Sequence, residues 1–259
     1  MIENNRHIFN TTLKNSLSHD IKDLYQQEMR NLRMKLIKQF CSEKTVLDMG
    51  CGSGEYTCLT AKFAKEVIGL DFGEAMLIKL KERLNDKKIN NVYLMQNDME
   101  SKFSLKDAAF DTVYSFATLY YISNLSSLIS EMYRVLKPGG HAIFSLGNLW
   151  SINTLLARNA DSGLRSYHVS PVMMRKMISQ SRLRVESLRC FQLFPMYGGN
   201  IFSWKNGRFL TRLVTMQGRI EKRIFSLKIK GKMFDEILSS FYLLRFFAFR
   251  YLFICKKDS

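Results

Sequence analysis

A glycine-rich turn directly after a short apolar strand constrains the fold of this chain more than any other feature. Residues 45–49 have the composition of a buried strand, and Gly50, Gly52 and Gly54 follow at alternate positions. Glycine tolerates the backbone conformations of a sharp turn and lets a ligand come close to the main chain. Such a turn between a strand and a helix predicts a Rossmann-like domain, whose ligands bind at the carboxyl ends of the strands.

Strand patterns and helix patterns alternate along the rest of the chain. Short apolar runs predict strands, and apolar residues at helical spacing predict the helices between them. The predicted helices are 21–40, 56–64, 75–84, 125–136 and 170–179, and the predicted strands are 45–49, 67–70, 92–96, 110–116, 141–146, 184–194 and 250–255. We interpret the Lys-Pro-Gly-Gly segment 137–140 as a loop that stops a helix. The alternation predicts an α/β fold with a mostly parallel sheet and helices on both faces.

Composition and charge divide the chain into segments. We predict a polar N-terminal segment over 1–24, a ligand-binding core over 25–150, and a further part of the same domain over 151–259, with a basic, largely helical insertion at about 195–246 before the last strand. Of the net charge of +16, residues 1–150 carry +2 and residues 151–259 carry +14. This asymmetry predicts an anionic partner: a phosphorylated substrate, a membrane surface or nucleic acid. A solvated basic surface that aids solubility is the alternative.

The insertion has the pattern of a basic amphipathic helix over 208–229. An apolar stripe lies opposite most of the basic residues, and its members are Leu213, Met216, Ile220, Ile224 and Leu227. This pattern favours peripheral contact with an anionic membrane through 208–232, or a cap helix that packs on the domain. Nucleic acid is disfavoured, because aromatic residues do not interleave with the basic ones as in a stacking platform.

The cysteines and the N-terminus indicate a reduced, cytoplasmic protein. Five cysteines occur without a C-x-x-C pair or zinc-like Cys/His spacing, so we expect no metal site. Residues 1–20 are polar and lack the apolar region of a signal peptide, and the apolar stretch 241–255 is too short to span a bilayer. We therefore expect a cytoplasmic protein, with attachment to the inner membrane face as a second interpretation.

The residues around the glycine turn distinguish among the ligands of Rossmann-like domains. Asp48 precedes the turn, where its carboxylate would repel a dinucleotide pyrophosphate and attract the ammonium and sulfonium of S-adenosylmethionine. Glu55 occupies the position where the third glycine of the dinucleotide motif would fall. The sequence therefore favours S-adenosylmethionine as the cofactor.

Two further acids follow the next two predicted strands. Asp71 ends the second strand, at the usual distance for binding a ribose diol, and Asp98 follows the third, where it can accept from the adenine amino group. Phe72 is placed to cover one face of the adenine. Each acid alone is also explained as an ordinary turn residue, but three in this order favour a cofactor site.

Residues 25–150 resemble the class I S-adenosylmethionine-dependent methyltransferase family. The resemblance lies in Val-Leu-Asp-Met-Gly-Cys-Gly-Ser-Gly (46–54), Gly-Leu-Asp-Phe (69–72), Asn-Asp-Met-Glu (97–100), Phe-Asp-Thr-Val (110–113) and Arg-Val-Leu-Lys-Pro-Gly-Gly (134–140). It implies a seven-stranded sheet whose last strand is antiparallel. The cofactor-binding residues that it implies together with the acids above are Asp48, Gly50, Cys51, Gly52, Asp71, Phe72, Asp98, Met99, Ser115 and Phe116.

The acceptor is less constrained than the cofactor. We expect residues 151–259 to form the acceptor side of the domain. Our catalytic candidates are His168, as a general base, and Tyr120 and Tyr121, for which the simpler interpretation is that they line the wall of a pocket. His168 also has the plain interpretation of a surface residue. We expect O-methylation of a small-molecule, glycan or lipid-linked anionic acceptor. The alternatives are an RNA methyltransferase and a non-catalytic module that binds a partner through the insertion.

Overall fold

A seven-stranded sheet forms the centre of the computed structural model, which describes residues 24–151, 153–154, 166–193, 224 and 226–259. Its strands are β1 Thr45–Met49, β2 Glu66–Asp71, β3 Val92–Gln96, β4 Phe110–Ser115, β5 Leu136–Gly147, β6 Leu183–Phe191 and β9 Arg250–Lys257. Strands β7 Lys228–Ile229 and β8 Lys232–Met233 form a separate small hairpin. The strand order is β3-β2-β1-β4-β5-β9-β6. Strands β1 to β5 pair in parallel, and β9 is antiparallel to both of its neighbours. The predicted seven-stranded, mostly parallel sheet with an antiparallel last strand is confirmed.

Helices cover the two faces of the sheet. They are α1 Leu24–Cys41, α2 Glu55–Thr60, α3 Glu74–Asp86, α4 Leu125–Val135, α5 Pro171–Gln180 and α6 Phe234–Ser240, with 3-10 helices at Leu119–Tyr121 and Leu244–Phe247. Local sequence explains several of their ends. The Ser170 side chain caps α5 by accepting from the Met173 amide, and Pro171 takes the first helical position, as the sequence predicts.

Side chains that alternate along each strand build two cores, one on each face. In β1, Leu47 and Met49 pack in the core that contains α4 and α5, whereas Val46 packs in the core that contains α1. Asp48 follows the same alternation and points to the α1 side. A third cluster joins α3 to the glycine turn through Leu80 and Cys51.

Two local predictions were wrong in their boundaries. Helix α4 ends at Val135, one residue before its predicted end, and β5 begins at once at Leu136, so the segment 137–140 belongs to the strand and not to a loop. The pairing of Phe110 with Leu136 makes this possible, because a register shift follows it on β4. The predicted helix 208–229 lies mostly outside the described residues, and its last two residues form β7. The hairpin turns at Lys230 and Gly231, which both have positive φ, as tight two-residue turns require.

The described residues contain no helix that is long and apolar enough to cross a membrane. All five cysteines are described, and each is buried and free of disulfide bonds.

Candidate active site

The glycine turn has the backbone that the sequence predicts. Gly50, Gly52 and Gly54 have φ values of 74°, 52° and 84°, in the left-handed region that favours glycine. A side chain at Gly50 would overlap Thr118, and one at Gly54 would overlap Leu80. A Cβ at Gly52 would meet nothing within 4 Å. Gly52 therefore keeps a space beside the backbone that suits a closely approaching ligand.

Four of the five amides of residues 50–54 are bonded within the protein. Those of Gly50 and Cys51 donate to the Leu70 carbonyl at 2.7 and 3.1 Å, and that of Gly54 donates to the Cys51 carbonyl at 3.0 Å. The Gly52 amide donates to Asp71 Oδ2 at 2.9 Å. Pyrophosphates bind to Rossmann-like turns through amides of this kind. The turn therefore fits a ligand without phosphate, such as S-adenosylmethionine.

Asp71 holds the turn from the end of β2. Its Oδ2 accepts from Gly52 and its Oδ1 accepts from the Gly73 amide at 2.9 Å. Burial raises the pKa of this carboxyl, and the backbone donors oppose that rise. Its predicted contact with a ribose is compatible with this geometry, because each carboxylate oxygen can accept a second hydrogen bond.

Asp48 lies beneath the turn, inside the protein. It is 3% exposed, and its Oδ2 accepts from Thr57 Oγ1 at 2.7 Å and from the Tyr114 hydroxyl at 2.9 Å. Parallel pairing of Asp48 with Tyr114 sets the two side chains next to each other. Burial raises the pKa of Asp48 to about 7. The repulsion of a pyrophosphate by Asp48 is therefore weaker than the sequence alone suggests, since this carboxyl is partly protonated at neutral pH.

The remaining predicted cofactor residues lie along the same edge of the sheet. Asp98, which follows β3, is half-buried, and its Oδ1 accepts from the Glu100 amide at 3.0 Å. Phe72 is also half-buried, and its carbonyl accepts from Gln96 Nε2. The Met99 side chain is part of the core, and burial raises the pKa of the Cys51 thiol. Contacts of Met99 and Cys51 with a cofactor would therefore come mainly from their backbones.

The end of β4 carries the predicted contacts to the methionine part of the cofactor. Ser115 Oγ donates to the Met49 carbonyl at 2.8 Å. The Phe116 ring stacks on Tyr114 at 5.0 Å and meets the Tyr56 ring edge-on at 5.3 Å. Strand β4 is next to β1, so these residues adjoin the glycine turn.

Arg33 is a buried cation at this end of the site that the sequence analysis missed. Its guanidinium lies 5.5 Å from the centre of the Tyr56 ring and 5.6 Å from that of Phe116, and its Nη1 donates to the Tyr56 hydroxyl at 2.8 Å. The residue is 8% exposed, and none of its contacts among the described residues is with a carboxylate. A guanidinium in this setting is suited to an anion such as the carboxylate of a methionine moiety. An arginine within the apolar stripe of Met29, Leu32, Leu36 and Ile37 was the available signal.

The three catalytic candidates, His168, Tyr120 and Tyr121, lie close together. The ring centres of Tyr120 and Tyr121 are 4.7 Å apart, and those of Tyr120 and His168 are 6.3 Å apart. The Tyr167 amide donates to the Tyr120 carbonyl at 2.5 Å and so joins the two segments.

His168 is held by neighbours that the sequence did not indicate. Its Nδ1 lies 2.8 Å from Thr154 Oγ1, which donates to the Asn148 carbonyl at 2.5 Å. A side chain at Gly147 would overlap the imidazole. The imidazole is therefore packed on the end of β5 and fixed through one ring nitrogen.

Comparison with known proteins agrees with this geometry. A family model described as a methyltransferase domain matches residues 47–144. A malonyl-[acyl-carrier protein] O-methyltransferase from Buchnera aphidicola is 31% identical over 213 residues, which cover 77% of this chain and 83% of that protein. A protein from Mycolicibacterium smegmatis named as an S-adenosylmethionine-dependent methyltransferase is 33% identical over 108 residues, which cover 42% of this chain and 40% of its own length.

A solved structure supports the fold. The S-adenosylmethionine-dependent methyltransferase from Mesorhizobium loti superposes with a TM-score of 0.58 and covers 87% of this chain and 96% of its own. Its sequence is only 15% identical, so it supports the fold alone. The sheet order, the glycine turn with its acids and the extended match to the Buchnera enzyme lead to one conclusion: the chain belongs to the class I S-adenosylmethionine-dependent methyltransferase family.

Proposed function

We propose that this methyltransferase transfers the methyl group to a hydroxyl oxygen of a small-molecule, glycan or lipid-linked acceptor, with His168 as the general base. The 2.8 Å contact between His168 Nδ1 and Thr154 Oγ1 supports this role. Because Thr154 Oγ1 donates to the Asn148 carbonyl, we assign the imidazole proton to Nδ1, which leaves the lone pair on Nε2. A neutral imidazole with a basic Nε2 is suited to removing a hydroxyl proton.

The cofactor residues and the acceptor residues have separate tasks. Gly52 and Asp71 would hold the nucleoside part, Asp98 and Phe72 the adenine, and Arg33 the carboxylate end. Bound S-adenosylmethionine would supply an electrophilic methyl group on a positively charged sulfur, and the leaving group would be a neutral thioether.

The protein's part is to orient the acceptor and to take one proton. His168 Nε2 would take the hydroxyl proton of the acceptor oxygen as that oxygen receives the methyl group. Tyr120 and Tyr121 would line the acceptor pocket and exclude water. The name of the Buchnera relative, an O-methyltransferase, supports oxygen as the acceptor atom.

Methyl-labelled S-adenosylmethionine and extracts of the source cell provide the test. We expect label in lipid or small-molecule fractions, as a methyl ether that survives mild base. Label in RNA would support the RNA alternative, and no label in any fraction would support the non-catalytic module.

A matched pair of histidine variants then tests the base. His168→Asn keeps a donor to Thr154 but has no basic nitrogen, and it should lower kcat about 10²–10⁴-fold with unchanged cofactor affinity. His141→Asn is the control, since His141 contacts Glu186 and Phe40 instead. Equal activity of the two variants would rule out His168 as the base.

A further inference from the structure

Exposed aromatic and aliphatic side chains between α6 and β9 lie together with the half-buried Phe246 and with Trp150, which follows β5. We call Trp150, Phe241, Tyr242, Leu243, Phe246 and Phe247 the aromatic patch. Leu243, Tyr242 and Phe241 are 73%, 68% and 58% exposed. The Phe246 ring lies 5.8 Å from Tyr242 and 6.5 Å from Trp150, so the patch joins two distant parts of the chain. Clustered exposed apolar side chains of this kind mark interaction surfaces.

Asn148 connects the aromatic patch to the candidate active site. Its side-chain amide donates to the carbonyls of Phe246 and Ala248 at 2.7 and 2.8 Å. Its own carbonyl accepts from Thr154, the residue that holds His168. The His168 ring also lies 5.2 Å from Phe249. The patch is therefore next to the acceptor side of the site.

The charges around the patch favour an anionic partner. The Arg245 guanidinium lies over the Tyr242 ring at 4.7 Å and near the Phe246 ring at 5.6 Å. Residues 226–259 contain seven lysines and arginines and three acids, and Arg250, Asp235 and Glu236 are buried, which leaves six cations and Asp258. Their charges are therefore kept from the surface, and the exposed charge of this segment is mainly positive.

Aromatic and aliphatic residues with an arginine among them have the composition of a membrane interface contact. A second copy of the chain fits less well, because a contact between two copies of this mainly positive face would bring like charges together.

We infer that the aromatic patch inserts into the surface of an anionic lipid bilayer and places the acceptor side of the site at the membrane. This apolar contact is distinct from the one that the sequence predicts for residues 208–232. The identity of the acceptor rests on the proposed function, whereas the lipid contact itself does not.

Vesicle co-sedimentation tests this contact without requiring an acceptor. Vesicles of phosphatidylcholine alone are compared with vesicles of equal parts phosphatidylcholine and phosphatidylglycerol. The Phe241→Ser/Leu243→Ser variant should bind the anionic vesicles at least tenfold more weakly than the wild type does. Arg245→Gln should weaken binding to anionic vesicles only, and less so in high salt.

The matched control is Ile78→Ser/Tyr93→Ser, which removes side chains of similar exposure, 52% and 57%, on α3 and β3. It should bind vesicles as the wild type does. Equal binding by the patch variant and the wild type would overturn the inference. A large decrease in the free energy of unfolding of the patch variant would also overturn it, because the patch would then pack against the protein itself. Loss of a dimer without loss of vesicle binding would do the same, because the patch would then contact a second copy of the chain. Methyl transfer to a water-soluble acceptor should persist in the patch variant. The proposed function and the lipid contact can therefore be tested separately.

Discussion

Burial gives Asp48 and Arg33 properties that their residue types alone do not. Asp48 is held by two hydroxyl donors, and loss of water raises its pKa to about 7. Arg33 is buried against two rings, and its only hydrogen bond among the described residues is to a tyrosine. Each group is therefore sensitive to what binds beside it.

Asp48 should make the stability of the free protein fall as the pH rises towards 7. The unfolded chain releases this proton near pH 4, whereas the folded chain keeps it to about pH 7. Between these pH values the folded state binds more protons than the unfolded state does. The contribution of Asp48 to the free energy of unfolding is therefore complete below pH 4 and is lost by pH 7. From pH 5 to 8 the loss should be about 3 kcal/mol at most.

Denaturant unfolding of the wild type and Asp48→Asn across this range measures the effect. The variant should lack this part of the pH dependence, although the raised pKa of Asp71 contributes in the same direction in both proteins. Identical pH profiles would show that Asp48 titrates normally.

Arg33→Met should weaken cofactor binding by about 1.5–3 kcal/mol, the range for a hydrogen bond to a charged group. Calorimetry with S-adenosylmethionine and with its decarboxylated form separates this contact from general damage. The variant should lose affinity only for the form that has the carboxylate, and Arg33→Lys should recover part of it. Equal losses for the two ligands would contradict the role that we assign to Arg33.

At the scale of elements, the glycine turn and β2 act as one unit. Gly52→Val should abolish cofactor binding, because the branched side chain fills the open space beside the turn. Gly139→Val is a matched control, since Gly139 also has positive φ and nothing within 4 Å of its Cβ position, but lies at the start of β5. Both variants should be destabilised by about 1–2 kcal/mol, and calorimetry should show lost cofactor binding only at Gly52. Similar binding by the two variants would place the cofactor elsewhere.

Asp235 at the start of α6 joins three elements. It accepts from the Tyr25 hydroxyl of α1 and from the amides of Gln192 and Leu193 after β6. Asp235→Ala leaves these buried donors without their acceptor and should lower the free energy of unfolding by about 2–4 kcal/mol. Asp258→Ala, at an exposed ion pair with Arg184, should leave the free energy of unfolding almost unchanged. Chemical denaturation compares them, and equal losses would show that the Asp235 contacts are not stabilising.

Local sequence predicted the elements well where one pattern acted alone. The glycine turn, the acids at the ends of β2 and β3 and the cap of α5 depend on neighbouring residues, and all were found. The start of β5 was missed because strand pairing with β4 outweighs the proline and glycines of 137–140. Arg33, Thr154 and Asn148 were missed because their roles depend on residues far away in the sequence, as the contact of Asn148 with Phe246 shows.

At the scale of the whole molecule, the proposed cofactor and acceptor residues lie at the same end of the sheet. The glycine turn, Asp71 and Asp98 follow β1, β2 and β3, and His168 packs on the end of β5. The positive charge is concentrated in residues 151–259. We therefore expect acceptor affinity to depend on ionic strength more than cofactor affinity does.

Calorimetric titration of the purified protein with S-adenosylmethionine, its demethylated product and a nicotinamide dinucleotide shows whether the glycine turn forms an S-adenosylmethionine site. The acids at the strand ends and the internally bonded amides of the glycine turn predict one site for the first two ligands and no measurable binding of the dinucleotide. Tight dinucleotide binding without S-adenosylmethionine binding would contradict the account.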